Sequence, residues 1–332
     1  MAVYSLKTIV SRLFVGYNQE RCFRNGEDSD LDKYPIDKEL IKLRNLHLPN
    51  NRFLVMVINA YLSTLPTRID KNLLEYKKWQ MDGVIMHMFT PLSLKEAVSP
   101  CLYYIHGGGF VFKATDVQYH YEQQYALKCN CRVIGIDYHL MPKYIWPDAM
   151  KECIRGYEYI LENAKELRID VNNIAVGGDS AGGLLSLESY YGLKEKKLPL
   201  PQGLMLIYPV VDHTSSTESV KRFIDTPVWD GKSNKLFWKQ FLNGQDYISP
   251  LQRAEELDVD NLFVEVEEFD CLHDEGQLLY EKARESVNKA ILLDNKGTFH
   301  AFDANYDAAV SKKTLEARCA FIEECFKKGK AR

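Results

Sequence analysis

Three side chains far apart in the sequence have the types that acyl transfer needs. Ser180 sits in Gly178-Asp179-Ser180-Ala181-Gly182, a G-x-S-x-G pentapeptide. Asp270 follows the run Phe263-Val-Glu-Val-Glu267, and His300 lies in Gly297-Thr-Phe-His-Ala-Phe302. A serine hydroxyl is a poor nucleophile at neutral pH unless a base takes its proton during attack. Imidazole suits that task, because the free side chain titrates near pH ~6.5 and can accept and then return a proton. A carboxylate behind the imidazole fixes its tautomer and stabilises the imidazolium that forms. The fourth part is His106-Gly107-Gly108-Gly109. An acyl-transfer intermediate concentrates negative charge on one oxygen, and losing one N–H donor aimed at it typically costs about 3–4 kcal/mol in barrier. Gly108 and Gly109 expose amides with no side chain in the way, and Ala181 stands just past the serine, so these three are the expected donors. His106 is read as an anchor of the glycine loop, with Gly107 beside it, and not as a proton carrier.

The elements around these residues have to position them. Ile174-Ala-Val176 is a buried-strand run, and Ala181 to Tyr191 reads as a helix with Leu184, Leu185 and Leu187 available to pack. A serine at the apex of a strand-to-helix turn brings the residues two before and two after it against neighbouring backbone. Gly178 and Gly182 meet that demand. The pentapeptide alone would equally fit an ordinary Gly-rich turn, so the decision rests on the rest of the chain. Val84 to Phe89 and Leu73 to Gln80 flank Asp82-Gly83, a hairpin signal. Strands are then expected at 101–105, 132–137, 174–176, 203–208, 262–267 and 290–293, with helices at 117–129, 147–164, 181–191, 275–288 and 306–328. Alternating β and α with short links implies a mostly parallel sheet covered by helices on both faces. Ser180, Asp270 and His300 each follow a strand's carboxyl end, where such sheets place their ligands.

Two stretches fall outside this alternation. Val3, Leu6, Val10, Leu13, Phe14 and Tyr17 recur at helical spacing, and further short helices are expected at 36–46 and 53–62. The preferred reading of the first is a helix packed on its own protein, the alternative a membrane-surface anchor. Asp212 to Asp246 is polar, then aromatic (Phe223, Trp229, Phe237, Trp238, Phe241), and reads as an inserted helical segment over the sheet's carboxyl edge.

Bulk properties narrow the function classes. The 332 residues are 46% hydrophobic and carry a net charge of −4, which supplies a core but no basic field for gripping nucleic acid. No signal peptide and no span-length apolar run is visible. The eight cysteines are scattered without a C-x-x-C pair, which favours reduced thiols and a cytoplasmic location. Cys129-Asn130-Cys131 lacks a partner cluster for a metal, and no metal site is expected.

Four motifs, in this order, resemble the hormone-sensitive-lipase family of α/β-hydrolases, the bacterial-type carboxylesterases: HGGGF at 106–110, GDSAGG at 178–183, D-x-L-x-D-E-G from Asp270 to Gly276, and H-x-F from His300 to Phe302. Lesser matches are Asp137-Tyr-His-Leu140 with Trp146-Pro147, and Ile248-Ser-Pro250. The resemblance spans about residues 72 to 305. It implies an α/β-hydrolase fold with a mostly parallel eight-stranded sheet, helices on both faces and a helical cap. On that reading 1–65 supplies the N-terminal cap helices, 66–211 and 247–332 the catalytic domain, and 212–246 the inserted cap segment. It also implies hydrolysis of short-to-medium acyl esters without a cofactor. Where the family reads D-Y-R-L-A-P-E, this chain has Asp137-Tyr-His-Leu-Met-Pro-Lys143, so His139 and Lys143 replace two bracing residues and put loop rigidity in question.

Ser180, His300 and Asp270 are therefore the expected nucleophile, base and acid. Asp274 is the rival acid, though it stands where the next helix begins and capping suits it better. Asp179 is too close to the serine to reach the far nitrogen of its histidine and reads as a brace of the turn. The remaining histidines, at 47, 87, 120, 139 and 213, read as surface or packing residues, and His273 as a weak alternative base. The expected partner is an uncharged, small acyl ester, acetyl or butyryl in size, with no nucleic acid and no stable membrane association; a homodimer stays open. A ligand-binding protein on a hydrolase scaffold, or an amidase or peptidase using the same residues, are the alternative functions.

Overall fold

The structure, a computed structural model, describes residues 33–49 and 51–327. The amphipathic stretch from Val3 to Tyr17 and the polar loop after it lie outside the described residues. Helices and strands alternate as the hydrophobic periods require. In chain order they are α1 (Arg52–Leu62), β1 (Leu74–Met81), β2 (Val84–Pro91), β3 (Ser99–Ile105), α2 (Asp116–Lys128), β4 (Arg132–Asp137), α3 (Trp146–Glu162), α4 (Ala164–Leu167) and β5 (Ile169–Asp179). There follow α5 (Ala181–Glu195), β6 (Gly203–Ile207), α6 (Glu218–Arg222), α7 (Gly231–Leu242), β7 (Asn261–Glu267), α8 (His273–Ala283), β8 (Lys289–Asn295) and α9 (Ala309–Lys327). The helix expected over 36–46 is only a 3-10 turn, Lys38–Leu43, capped by the Asp37 side chain on the Glu39 amide. Leu40 is its one buried residue, too little apolar surface to hold a longer helix.

The eight strands form one sheet in the order β1-β2-β4-β3-β5-β6-β7-β8. β1 and β2 form the hairpin at Asp82-Gly83, β2 pairs antiparallel with β4, and β3 to β8 run parallel. Period-two alternation along the strands splits the core. On β3, Cys101, Tyr103 and Ile105 face the side packed by α3 and α5, while Leu102 and Tyr104 face the side packed by α2 and α9. Both faces are buried, as a parallel sheet requires.

The N-terminal segment and the 212–246 insertion touch one another. His47 bridges Val228, the Val228 amide donates to the Leu46 carbonyl at 2.5 Å, and the Tyr34 hydroxyl donates to Asp225 at 2.7 Å. Both also reach the glycine loop after β3. Asn59 of α1 donates to the Val111 carbonyl at 2.6 Å, and Phe241 of α7 stacks on Phe110 with ring centres 3.7 Å apart. Among the described residues no helix is long and apolar enough to cross a membrane, and seven cysteines are free and buried.

Candidate active site

β5 ends at Asp179 and α5 begins at Ala181, so the whole turn falls on Ser180. Its backbone is at φ 55°, ψ −116°, a region that costs a non-glycine residue about 1–3 kcal/mol. Neighbouring strands hold it there. The Ser180 amide donates to the Ile207 carbonyl at 2.8 Å, and the Ser180 carbonyl accepts from Gly183 and Val210 at 3.0 and 3.2 Å. The flanking glycines are sterically required. A Cβ on Gly182 would overlap the Ile105 carbonyl, and one on Gly178 would overlap that same carbonyl and the Gly182 backbone.

The three distant side chains meet in one hydrogen-bonded path. Ser180 Oγ lies 2.9 Å from His300 Nε2, and His300 Nδ1 lies 2.6 Å from Asp270 Oδ2. The second Asp270 oxygen accepts from the Leu272 amide at 3.0 Å, so the carboxylate cannot turn away. All three residues are buried, Asp270 completely. Asp270 and His300 share a scaffold, because the Phe269 amide just after β7 donates to the Thr298 carbonyl in the loop that carries His300.

Asp274 is held elsewhere. Its Oδ2 accepts from the Ser219 amide at 2.8 Å, and its Oδ1 lies 2.9 Å from His273 Nδ1. The expectation that it caps its own helix is corrected: α8 already starts at His273, and the carboxylate satisfies a first-turn amide of α6 in the insertion. Asp179 ties the turn to its neighbours. Its oxygens accept from the Tyr104 hydroxyl, the Gly107 amide and Gln118 Nε2 at 2.9, 3.0 and 3.2 Å. Burial pushes the Asp179 carboxyl above its ordinary pKa, with those donors pulling the other way.

Gly107 is thereby tied to the elbow, and the loop turns over Gly108, whose carbonyl accepts from Val111 and Phe112. The amides of Gly108, Gly109 and Ala181 donate to no other group among the described residues. His106 Nδ1 lies 2.6 Å from the Gly107 carbonyl and its ring stacks on Tyr138 at 4.5 Å, an anchoring role. The Asp137-to-Lys143 loop is braced despite its departures. Glu152 accepts from the His139 amide at 2.8 Å and sits 2.6 Å from His139 Nδ1. His139 is thus more than a surface histidine. His87 is a buried packing residue paired with Glu122 at 2.5 Å.

Of the aromatics in the insertion, open between packing and pocket lining in the sequence, Trp229 meets the site, whereas Tyr208 and Asn59 were not anticipated. Trp229 lies over Gly109 and faces His300 with ring centres 6.2 Å apart, while Tyr208 meets His300 edge-on at 4.8 Å. Asn59 grips the loop beyond the glycines through Val111 and Lys113. The only signal of Asn59 in the sequence is a polar residue interrupting the apolar run of α1.

A family model described as alpha/beta hydrolase fold matches residues 102–304, from β3 past His300. The chain belongs to the α/β-hydrolase fold family. This hydrolase is 28% identical over 292 residues to an acetyl esterase of Salmonella schwarzengrund, with 84% of each chain covered. An acetyl esterase of Salmonella typhi is also 28% identical, over 288 residues and the same shares. Among solved structures, a bacterial heroin esterase superposes with a TM-score of 0.75 at 25% identity, covering 88% of this chain and 98% of that one. Esterase LipW of Mycobacterium marinum gives 0.78 at 20% identity over 88% and 96%. An esterase of the bacterial hormone-sensitive lipase family gives 0.75 at 21% over 87% and 99%. The resemblance drawn from the four motifs and the eight-stranded sheet implied by it therefore stand.

Proposed function

We propose that this hydrolase is a serine carboxylesterase that cleaves short-to-medium acyl esters through an acyl-enzyme. The observation that carries the proposal is the continuous path Ser180–His300–Asp270, with the unpaired amides of Gly108, Gly109 and Ala181 beside it. Ser180 Oγ attacks the ester carbonyl while His300 Nε2 takes its proton. Asp270 holds Nδ1–H and stabilises the imidazolium. Charge on the carbonyl oxygen is met by the three amides, which need no reorganisation because the Asp179 brace and the α5 N-terminus already fix them. His300 then gives its proton to the leaving alkoxide oxygen, breaking the C–O bond. Water, deprotonated by the same imidazole, attacks the acyl carbon, and the acid leaves as Ser180 regains its proton.

Of the stretches expected to form a cap, 1–65 and 212–246, the described residues 33–49, 51–65 and 212–246 are assigned to it over this centre, supported by the contacts that Asn59, Trp229 and Phe241 make with the glycine loop and its Phe110. Their aromatic character suits uncharged acyl groups. Buried free thiols suit a reducing, cytoplasmic compartment. The test is turnover of chromogenic acyl esters by the wild type and by Ser180→Ala. The proposal expects loss of at least about 10⁴-fold in kcat/KM. Turnover that survives loss of the hydroxyl refutes it, and ligand binding without turnover by the wild type favours a receptor.

A further inference from the structure

We infer that Trp229 sets the acyl size this enzyme accepts, confining it to groups from acetyl to butyryl. The inference rests on the carboxylesterase reading above and names the part of the insertion that selects the substrate.

The indole bridges the catalytic machinery from above. A Cβ built on Gly109 would lie 2.9 and 3.0 Å from Trp229 Cη2 and Cζ3, so the ring sits directly on one expected oxyanion donor. It also faces the proposed base His300, with ring centres 6.2 Å apart and planes inclined by 34°. The tetrahedral carbon has four arms: one to Ser180 Oγ, one to the oxyanion donors, one to the alkoxide that His300 protonates, and one to the acyl chain. A ring that spans the second and third arms leaves the fourth only the space beneath it. Phe237 stands behind the indole at 5.1 Å and blocks retreat into the insertion.

One cost marks this position as set by something other than stability. Val228, which carries the indole into place, has φ +64°, a region that β-branched residues avoid. The turn is nevertheless clamped. The Val228 amide donates to Leu46, the Trp229 amide to Pro227 at 2.7 Å, and the buried Thr226 hydroxyl to the Trp229 carbonyl at 2.9 Å. A strained backbone clamped in place beside the reacting groups points to a residue held for function.

The test measures kcat/KM for p-nitrophenyl esters from acetate to octanoate, and for acetates of increasing alcohol length, with wild type, Trp229→Ala and Trp229→Leu. The wild type should fall steeply beyond butyrate. Removal of the indole should raise the hexanoate-to-acetate ratio at least about tenfold, since each methylene accommodated changes kcat/KM by about 10- to 200-fold. The alcohol series should keep its wild-type order. Octanoate turned over by the wild type as readily as acetate overturns the inference whatever the variants do. So does an unchanged acyl ratio in an active variant, or a shift confined to the alcohol series. Labelling of Ser180 by p-nitrophenyl alkylphosphonates, read by intact mass, separates the two failures. Labelling without the chain-length effect sinks Trp229 alone, whereas no labelling and no turnover at any length sinks the esterase reading and the inference with it.

Discussion

The Tyr208 ring stands edge-on to His300 with centroids 4.8 Å apart, and its hydroxyl donates to Asp303 at 2.9 Å. Asp303 in turn accepts from Arg318 Nη1 at 2.8 Å, and Arg318 grips both oxygens of Glu265 on β7, the strand that leads to Asp270. His300 and Asp270 are thus supported from behind by one buried ionic cluster. Burial works against the Arg318 charge, yet Glu265, Tyr125 and Asp303 outweigh it and hold its pKa well above the usual arginine value. Arg318→Met leaves Glu265 and Asp303 as buried carboxylates without their cation. Urea unfolding should show a loss of about 3–5 kcal/mol, compared with about 1 kcal/mol for Tyr208→Phe, which removes one neutral donor. Equal losses for the two would contradict a cluster organised by Arg318.

Asn59 ties α1 to the glycine loop with two bonds, donating to Val111 and accepting from the Lys113 amide at 3.1 Å. The loop's amides matter most when charge develops, so their placement should count more in kcat than in KM. Asn59→Ala is expected to lower kcat about tenfold with KM changed less than about threefold. Steady-state kinetics checks this, and a change confined to KM would assign α1 to substrate binding alone.

The acid can be separated from its rival. Asp270→Asn should lower kcat about 10⁴-fold, because the amide cannot hold the Nδ1–H tautomer. Asp274→Asn weakens a contact to α6 and should cost less than about tenfold. Parallel kinetics on the two proteins checks the assignment, which a larger loss at 274 would reverse.

Glu188 on α5 is buried beside Tyr247, whose hydroxyl donates to it at the edge of the insertion. Burial raises its carboxyl from 4.5 to about 7, outweighing the Tyr247 hydrogen bond and Arg253. Folding therefore favours the protonated form. Its contribution is full below pH ~4.5, where the unfolded chain is also protonated, and is lost as pH rises towards ~7, by about 3 kcal/mol across that window. Glu188→Gln should abolish this part of the slope. Urea unfolding from pH 4.5 to 7.5 tests it, and an unaltered slope would contradict a titrating Glu188.

The sequence exposes the reacting groups more fully than their supports. Ser180, His300 and the glycine loop carry local patterns, because a tight elbow and bare amides constrain adjacent residues. Asp270 was separable from Asp274 only weakly, since both follow β7 within one turn and what distinguishes them is a partner on another segment, His300 or Ser219. Arg318, Asp303 and Tyr208 come together from a helix, a loop and a strand end, so no periodicity marks them. Glu265 and Glu267 were a legible hint, two acids in a strand that is buried throughout. Trp229 could be named as one aromatic among several, but only the folded turn at Val228 shows which of them lies on Gly109 and faces His300.

The most direct measurement is rapid acid quench of the enzyme mixed with an aryl acetate, followed by intact mass and peptide mapping. The account predicts a transient gain of one acetyl group on the peptide bearing Ser180, absent from Ser180→Ala. Acetyl found on another residue, or turnover with no acylated serine at any time point, would contradict it.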